Sequence, residues 1–483
     1  MNNLLKQLKT FDKVDLNTLV VFCFLSFLCI FALIFTNNFI LFLGILAIVT
    51  YFIYQTPQSG FLVLLLTTMV FGEHFSLLPL QIHEAVYKIY LLDFVLIVSF
   101  LCWFLQQKVK KVDIKGFLKN KVNLWLIVFW VLIFLNLLIS IIFKSSDKSL
   151  AMGTFKNYSY LLIYFLVILM FNSKEWILKI LKTLFYGGLL LTIFVLYGWL
   201  NGKGLWSEVT PGLRYLSGLH TYFITFSIII LFVGIAYRKY IFHKISSLIV
   251  FLIQVAGVAG SMFRHLWLGL AIGFLYIFSR LKFVGKQKVI RILFSVILGI
   301  AIVSLAVLWF QGLLGQEVNL TNNTFLESVV DRGSTLFQTG YSAESAASWR
   351  LSTWKIAFDK FTSNPLIGIG LGQKFYFEHL GFVDLIDIRN IHNDFASLLV
   401  QLGLIGFIPF LIFNIYIIKY ILNLIKDNKE HELGLILSAF YIITVFGIFF
   451  AIYLMFNGTA IFYWTITAMV AVLYQKRRNK GLT

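Results

Sequence analysis

Long apolar runs alternate with short polar segments along nearly the whole chain. A membrane-crossing helix needs about 20 apolar residues, with a range of roughly 17–25. Candidate spans fall at 16–35, 39–54, 60–71, 87–105, 122–143, 158–171, 177–200, 219–237, 245–259, 263–278, 290–310, 395–418, 433–454 and 459–474. The second, third and ninth are short, so one hairpin misread there changes the count by two. The pattern predicts an all-α, polytopic membrane protein of about 14 transmembrane helices. The polar stretch 1–17 and the length of the first run read as a retained first span, not a cleaved signal peptide.

One segment breaks the rhythm. Between 310 and 395 the chain is polar, far beyond the 12–15 residues above which a loop is usually functional or disordered. Its aromatic content argues against disorder. Trp354, Ala357, Phe358 and Phe361 recur at helical spacing, which predicts an amphipathic helix on the membrane surface, ended by Asn364-Pro365. The organisation is therefore 1–312 for transmembrane helices 1–11, 313–391 for one long, partly helical extracytoplasmic loop, and 392–483 for helices 12–14.

Composition and charge support this frame. The chain is 60% hydrophobic and 13% charged, against about 45–50% and 25% in soluble domains. With the N-terminus placed in the cytoplasm, the alternating inside segments hold 27 of the 40 basic residues and 7 of the 21 acidic ones. That bias is what cytoplasmic loops show, and it puts both termini inside the cell. The net charge of +19 is thus a topology signal, and nucleic acid is not an expected partner. Cys23, Cys29 and Cys102 sit in apolar runs without zinc-ligand spacing, and no acidic cluster suggests a metal, so no cofactor is expected.

Five of ten arginines fall outside by this topology, namely Arg214, Arg264, Arg332, Arg350 and Arg389, against eight of thirty lysines. A planar fork suited to phosphate gives such arginines a purpose. Arg264 stands near the outer end of a span, where an ionisable group is costly and is a functional-site hypothesis by default; snorkelling to headgroups is the alternative. Arg214 precedes another span, with contact to lipid phosphate as its alternative. His392 stands where the long loop re-enters the membrane, and imidazole is the group whose ordinary pKa suits proton transfer near neutrality. Asp93, just inside the fourth span, either pairs with an outside arginine or hydrogen-bonds a neighbouring helix. The run Gly368-Ile369-Gly370-Leu371-Gly372 lacks a βαβ context and reads as a tight turn, not a nucleotide loop.

Four stretches together resemble the O-antigen ligase and O-antigen polymerase superfamily of bacterial envelope glycosyltransferases. They are Arg214-Tyr215-Leu216-Ser217-Gly218 before a span; Ser261 through Arg264 to Trp267-Leu268-Gly269; Trp349-Arg350 with Trp354, leading to Asn364-Pro365 and Gly368-Ile369-Gly370; and His392-Asn393-Asp394-Phe395 with Gly403-Leu404-Ile405-Gly406. In the second, two residues separate Ser from Arg beyond the family pattern, and His265 replaces Gly.

The resemblance implies a GT-C-like helical fold in the bacterial plasma membrane, with an extracytoplasmic active site. It implies metal-independent, inverting transfer of glycan from an undecaprenyl-diphosphate-linked oligosaccharide donor to a glycan acceptor. Arg214 and Arg264 would hold the diphosphate, Arg350 is a third candidate, and His392 would serve the acceptor hydroxyl. Asp93 is a candidate substrate contact. A flippase and a chain-length regulator are the implied protein partners. A polysaccharide polymerase is the first expectation, ligase-type transfer of a finished glycan the second. A lipid-linked oligosaccharide flippase is the alternative of a different class; it would carry polar groups at mid-membrane, where here Asn136, Gln254 and Asn414 are few.

Overall fold

The computed structural model describes residues 50–107, 117–201, 216–237, 243–294, 346–427 and 430–479, with a few positions inside these stretches left out. The expected spans at 16–35 and most of those at 39–54 and 290–310 lie outside the described residues, as do Cys23, Cys29, Arg214, Arg332 and the first half of the long loop. Among the described residues, seven helices are long and apolar enough to cross a membrane: Lys121–Phe143, Lys148–Met170, Lys174–Tyr197, Gly218–Tyr237, Asp394–Lys426, His431–Phe450 and Gly458–Arg478. Three shorter apolar helices, Pro57–Val70, Leu96–Leu105 and Lys244–Gly260, accompany them. The protein is a multi-pass membrane protein.

In chain order the described elements are α1 (Pro57–Phe71), β1 (Ser76–Ile82), β2 (Ala85–Tyr90), α2 (Leu91–Gln107), α3 (Lys121–Phe143), α4 (Lys148–Ser159), α5 (Leu162–Met170) and α6 (Lys174–Asn201). They continue with α7 (Gly218–Tyr237), α8 (Lys244–Gly260), α9 (Arg264–Arg280), α10 (Ala346–Ser363), β3 (Lys374–His379), β4 (Phe382–Asp387), α11 (Asp394–Lys426), α12 (His431–Phe450) and α13 (Asn457–Asn479). The described residues are mostly helical, as expected, and carry in addition two short antiparallel hairpins, β1–β2 and β3–β4. In the second, Phe375 and Phe377 alternate inwards while Tyr376 is exposed. That is the period of a strand, easily overlooked in an aromatic run inside a loop. The fourth expected span also starts in a strand: β2 runs directly into α2 at Leu91.

The described residues form two compact units, one within Gly188–Thr339 and one within Thr10–Gly187 and Gly340–Thr483. In the first, α7 is buried along nearly its whole length. The Gln254 amide on α8 reaches the Gly188 carbonyl at 3.2 Å, Thr192 Oγ1 at 2.9 Å and Ser227 Oγ at 3.0 Å. Gly188 and Gly257 let these helices approach, since a Cβ on either would stand 2.3 Å from Ser227 Cβ or 2.5 Å from Val195 Cγ2. Gln254 is therefore a helix clamp.

In the second unit α3, α4, α11, α12 and α13 form the described core. Asn120 caps α3 by accepting from the Val122 amide, and Asp147 caps α4 by accepting from that of Leu150. Asn414 of α11 accepts from the hydroxyls of Tyr441 at 2.7 Å and Tyr463 at 2.6 Å. This deep amide joins three helices and is satisfied by them, as an intramembrane polar group must be.

Candidate functional site

His392 occupies the short connection between β4 and α11. The connection is held at several points. Asp387 caps a 3-10 turn at Ile388–Asn390 and grips Arg389, its Oδ2 lying 2.6 Å from Nε and 2.5 Å from Nη2. Trp354 of α10 donates from its indole to the Ile391 carbonyl at 2.8 Å. Asn393 caps α11 by accepting from the Ala396 amide at 2.9 Å. Asp394 Oδ2 accepts from the amides of Tyr453 at 2.5 Å and Leu454 at 2.6 Å, tying the α12–α13 connection to the start of α11.

Fixed on both sides, His392 takes a φ of +54°. A non-glycine residue in this region is strained and persists only where its surroundings impose it. The Trp349 ring meets the imidazole edge to face at 5.7 Å, and Arg350 is the next residue on α10. Burial, and then the Arg350 guanidinium, push the imidazole down to about 4. At neutral pH the ring is uncharged, with one nitrogen free to accept a hydrogen bond. No described residue hydrogen-bonds either ring nitrogen.

The predicted amphipathic helix forms as α10 and stops at Ser363, but it does not simply lie on a membrane. Ala357 is buried with Phe375, Phe377, Ile386, Ile388, Ile391 and Val400, and Trp349, Trp354, Ile356 and Phe361 pack against that cluster. Phe358, at 60% exposed, faces away. Of the stripe read from helical spacing, Trp354, Ala357 and Phe361 belong to the packed face under the histidine and Phe358 does not.

The glycine run is a turn, as its sequence predicts, and its purpose is packing. Gly368, Gly370 and Gly372 have φ of +70°, +99° and +74°; the first two meet α11 where Gly403, at +63°, interrupts the helix, and Gly372 lies against Asp147 and Ala151 at the start of α4. Ile369 and Gly370 donate to the carbonyls of Val400 and Gln401 at 2.9 and 3.0 Å, while Leu404 and Ile405 donate to those of Pro365 and Leu366 at 2.9 and 3.0 Å. These bonds replace the two that a continuous α11 would close between 404 and 400 and between 405 and 401. The Asn364-to-Gly370 and Gly403-to-Gly406 stretches are two halves of one joint.

Asp93 of α2 pairs with Lys156 of α4 at 3.0 Å and accepts from the Tyr160 hydroxyl. These contacts meet the expectation that it bonds a neighbouring helix. The next residue, Asn157, donates to the Met455 carbonyl at 2.7 Å, and Tyr158 meets Gln401 at 3.2 Å, so α4 links Asp93 to the start of α11. Arg389, one of the outside arginines, is held by Asp387 and lies over Gly153. Sequence reading missed Lys156; nothing in its spacing marks it.

Arg264 belongs to the other unit, where it is the first residue of α9 and half-buried. The break before it is held by Val258, whose carbonyl accepts from Ser261 Oγ at 2.6 Å and from the Trp267 indole at 2.7 Å. Phe263 closes over Gly218, where a Cβ would stand 3.0 Å from its ring. A guanidinium at the positive end of a helix dipole is a concentration of positive potential. The structure thus gathers Arg350 and His392, places Asp93 in the same unit, and puts Arg264 in the first.

The family model described as O-antigen ligase matches residues 249–411. This stretch is similar to that family over about a third of the chain. It runs from within α8 to within α11, so it contains Arg264, Arg350 and His392, while Asp93 and Arg214 precede it. A search of curated proteins finds no match to the chain. The match supports a membrane function of the O-antigen ligase or polymerase type.

Proposed function

We propose that the protein is a metal-independent, inverting glycosyltransferase of the bacterial plasma membrane that polymerises glycan repeat units carried on undecaprenyl diphosphate at the extracytoplasmic face. The observation that carries this reading is the neighbourhood of Arg350 and a strained, uncharged His392 inside the stretch similar to the O-antigen ligase family.

The acceptor hydroxyl attacks the anomeric carbon of the donor as the carbon–oxygen bond to the diphosphate breaks, and the configuration inverts. The electron pair leaves with the diphosphate, whose growing charge guanidinium groups stabilise; the resemblance makes Arg214 and Arg264 the donor-holding candidates and Arg350 the third. The hydroxyl proton passes to the accepting nitrogen of His392. Arg350 opposes protonation of that ring; a diphosphate bound against Arg350 offsets its charge and makes the imidazole a better base when the donor is present. Asp93 orders Lys156 and Tyr160 at the same end of α4, where sugar hydroxyls of the substrate would lie.

The description of the matched family favours a second reading, a single transfer of a finished glycan to another acceptor. Purified protein given undecaprenyl-diphosphate-linked repeat units in excess EDTA distinguishes the two. A ladder of lengthening products is expected, abolished by His392→Ala and Arg264→Ala with the protein still present in the membrane. A single product supports ligation. Strict metal dependence, or wild-type products from both variants, overturns the mechanism.

A further inference from the structure

We propose that residues 365–372 form a re-entrant segment whose Leu366 and Ile367 side chains are seated in the hydrocarbon of the bilayer, alongside the spans α3 and α11. The inference is independent of the reaction.

Depth carries it first. The 23 residues of α3 extend about 35 Å at 1.5 Å per residue, little more than the hydrocarbon they must cross. Lys121 and Lys144 bracket the helix, so essentially all of α3 is needed to span. Asn136 lies seven residues before its end, roughly 10 Å inside. Its side-chain amide donates to the Ile367 carbonyl at 3.1 Å. Beyond that level α3 still presents Ile142 and Phe143, exposed by 65% and 77%. The tip of the turn is therefore below the end of the span.

Composition and backbone satisfaction agree. The eight residues Pro-Leu-Ile-Gly-Ile-Gly-Leu-Gly carry no charge and no hydroxyl. Irregular backbone survives at membrane depth only where protein groups satisfy it. The carbonyls of 365 and 366 accept from Leu404 and Ile405, that of Ile367 from Asn136, and that of Gly368 from Lys144. The amides of 368, 369 and 370 donate to Asn364, Val400 and Gln401, and that of Leu371 to Ser140 Oγ at 2.7 Å. Asn136, Ser140 and Lys144 are successive turns on one face of α3, a polar stripe in an apolar span whose partner is this turn.

The outward side of the turn is apolar. Leu366 is 60% exposed and Ile367 45%. Leu366 is hydrogen-bonded through its carbonyl to Ile405, and Leu404, Ile405 and Ile408 are exposed along the same α11 span. The surface is continuous with that of a membrane helix, so acyl chains are the occupant.

Nitroxide labels at Leu366→Cys and Ile367→Cys, in protein whose Cys23, Cys29 and Cys102 are replaced by alanine and which is reconstituted in phosphatidylcholine vesicles, test this by power saturation. Leu404→Cys serves as the in-membrane reference and Asp359→Cys, on exposed α10, as the aqueous one. Labels at 366 and 367 should match 404, relaxing with oxygen and shielded from a water-soluble nickel chelate. Relaxation by the chelate, as at 359, overturns the proposal. Shielding from both reagents also overturns it, because a second copy or another protein then covers the turn. Two adjacent label sites, each checked for a monodisperse elution profile, keep a local folding failure from passing for either result.

Discussion

The Trp354 indole donates to the Ile391 carbonyl across 2.8 Å, one peptide before His392. This single bond couples the amphipathic helix of the long loop to the strained connection that carries the imidazole. It explains why a Trp four residues after Arg350 accompanies the histidine motif although the two are far apart in sequence.

Replacing Trp354 with Phe keeps most of the packing on Ile391 and removes the donor. A half-buried carbonyl left unpaired costs about 1–3 kcal/mol. The variant should melt lower in a thermal-shift assay and lose glycan-transfer activity, with the loss in turnover exceeding any change in donor affinity. Unchanged turnover would show that the coupling does not reach His392.

Acidity should act on the same residue. His392 is held at about 4 in the fold against an ordinary 6.5, so protons bind more readily to the unfolded chain. Its contribution to stability is complete above about 6.5 and is lost as the pH falls towards about 4. His392→Gln should flatten that part of the stability profile. Arg350→Gln should move the imidazole upwards, measured by proton NMR of the ring; no movement would remove Arg350 from its neighbourhood.

The joint between the glycine turn and α11 tolerates no side chain. A Cβ on Gly368 would stand 2.4 Å from the Gln401 oxygen, and one on Gly403 2.3 Å from that of Leu366. Left-handed backbone alone costs a substituted residue about 1–3 kcal/mol, and the clash adds to this. Gly368→Ala and Gly403→Ala should each lower the melting temperature and the yield of folded protein. Gly153→Ala, whose Cβ meets only Arg389 Nη1 at an ordinary 3.4 Å, should be close to wild type.

Asp394 is a joint of a different kind. Its Oδ2 accepts from two backbone amides of the α12–α13 connection, and leaving buried donors unpaired costs about 1–3 kcal/mol each. Asp394→Ala should destabilise strongly. Asp394→Asn retains one oxygen and should fall between, in thermal melts of the purified protein.

Much of the fold is legible because lipid imposes a simple rule on sequence. The spans at 122–143, 177–200 and 219–237 appear within a few residues of α3, α6 and α7. The span expected at 158–171 begins instead at Lys148, because α4 opens with polar residues that interrupt the apolar run and that Asp147 caps. Within the candidate site, Arg350 and His392 are readable as an arginine and a histidine beside a long loop. Lys156 is not, because its partner Asp93 comes from another helix, and hairpin β3–β4 is easily overlooked because its short aromatic run lies inside a long polar loop.

The sequence by itself determined that this chain crosses a membrane repeatedly, where its loops carry charge, and that a turn falls at 368–372, since apolar length, lysine bias and glycine spacing are local properties. Only the tertiary structure decided what those features meet: that the turn completes the hydrogen bonds of a broken helix, that Asp93 pairs with Lys156, and that Trp349 and Arg350 stand against His392. Such pairings join residues tens to hundreds of positions apart. They depend on how rigid helices dock, and no local pattern records that.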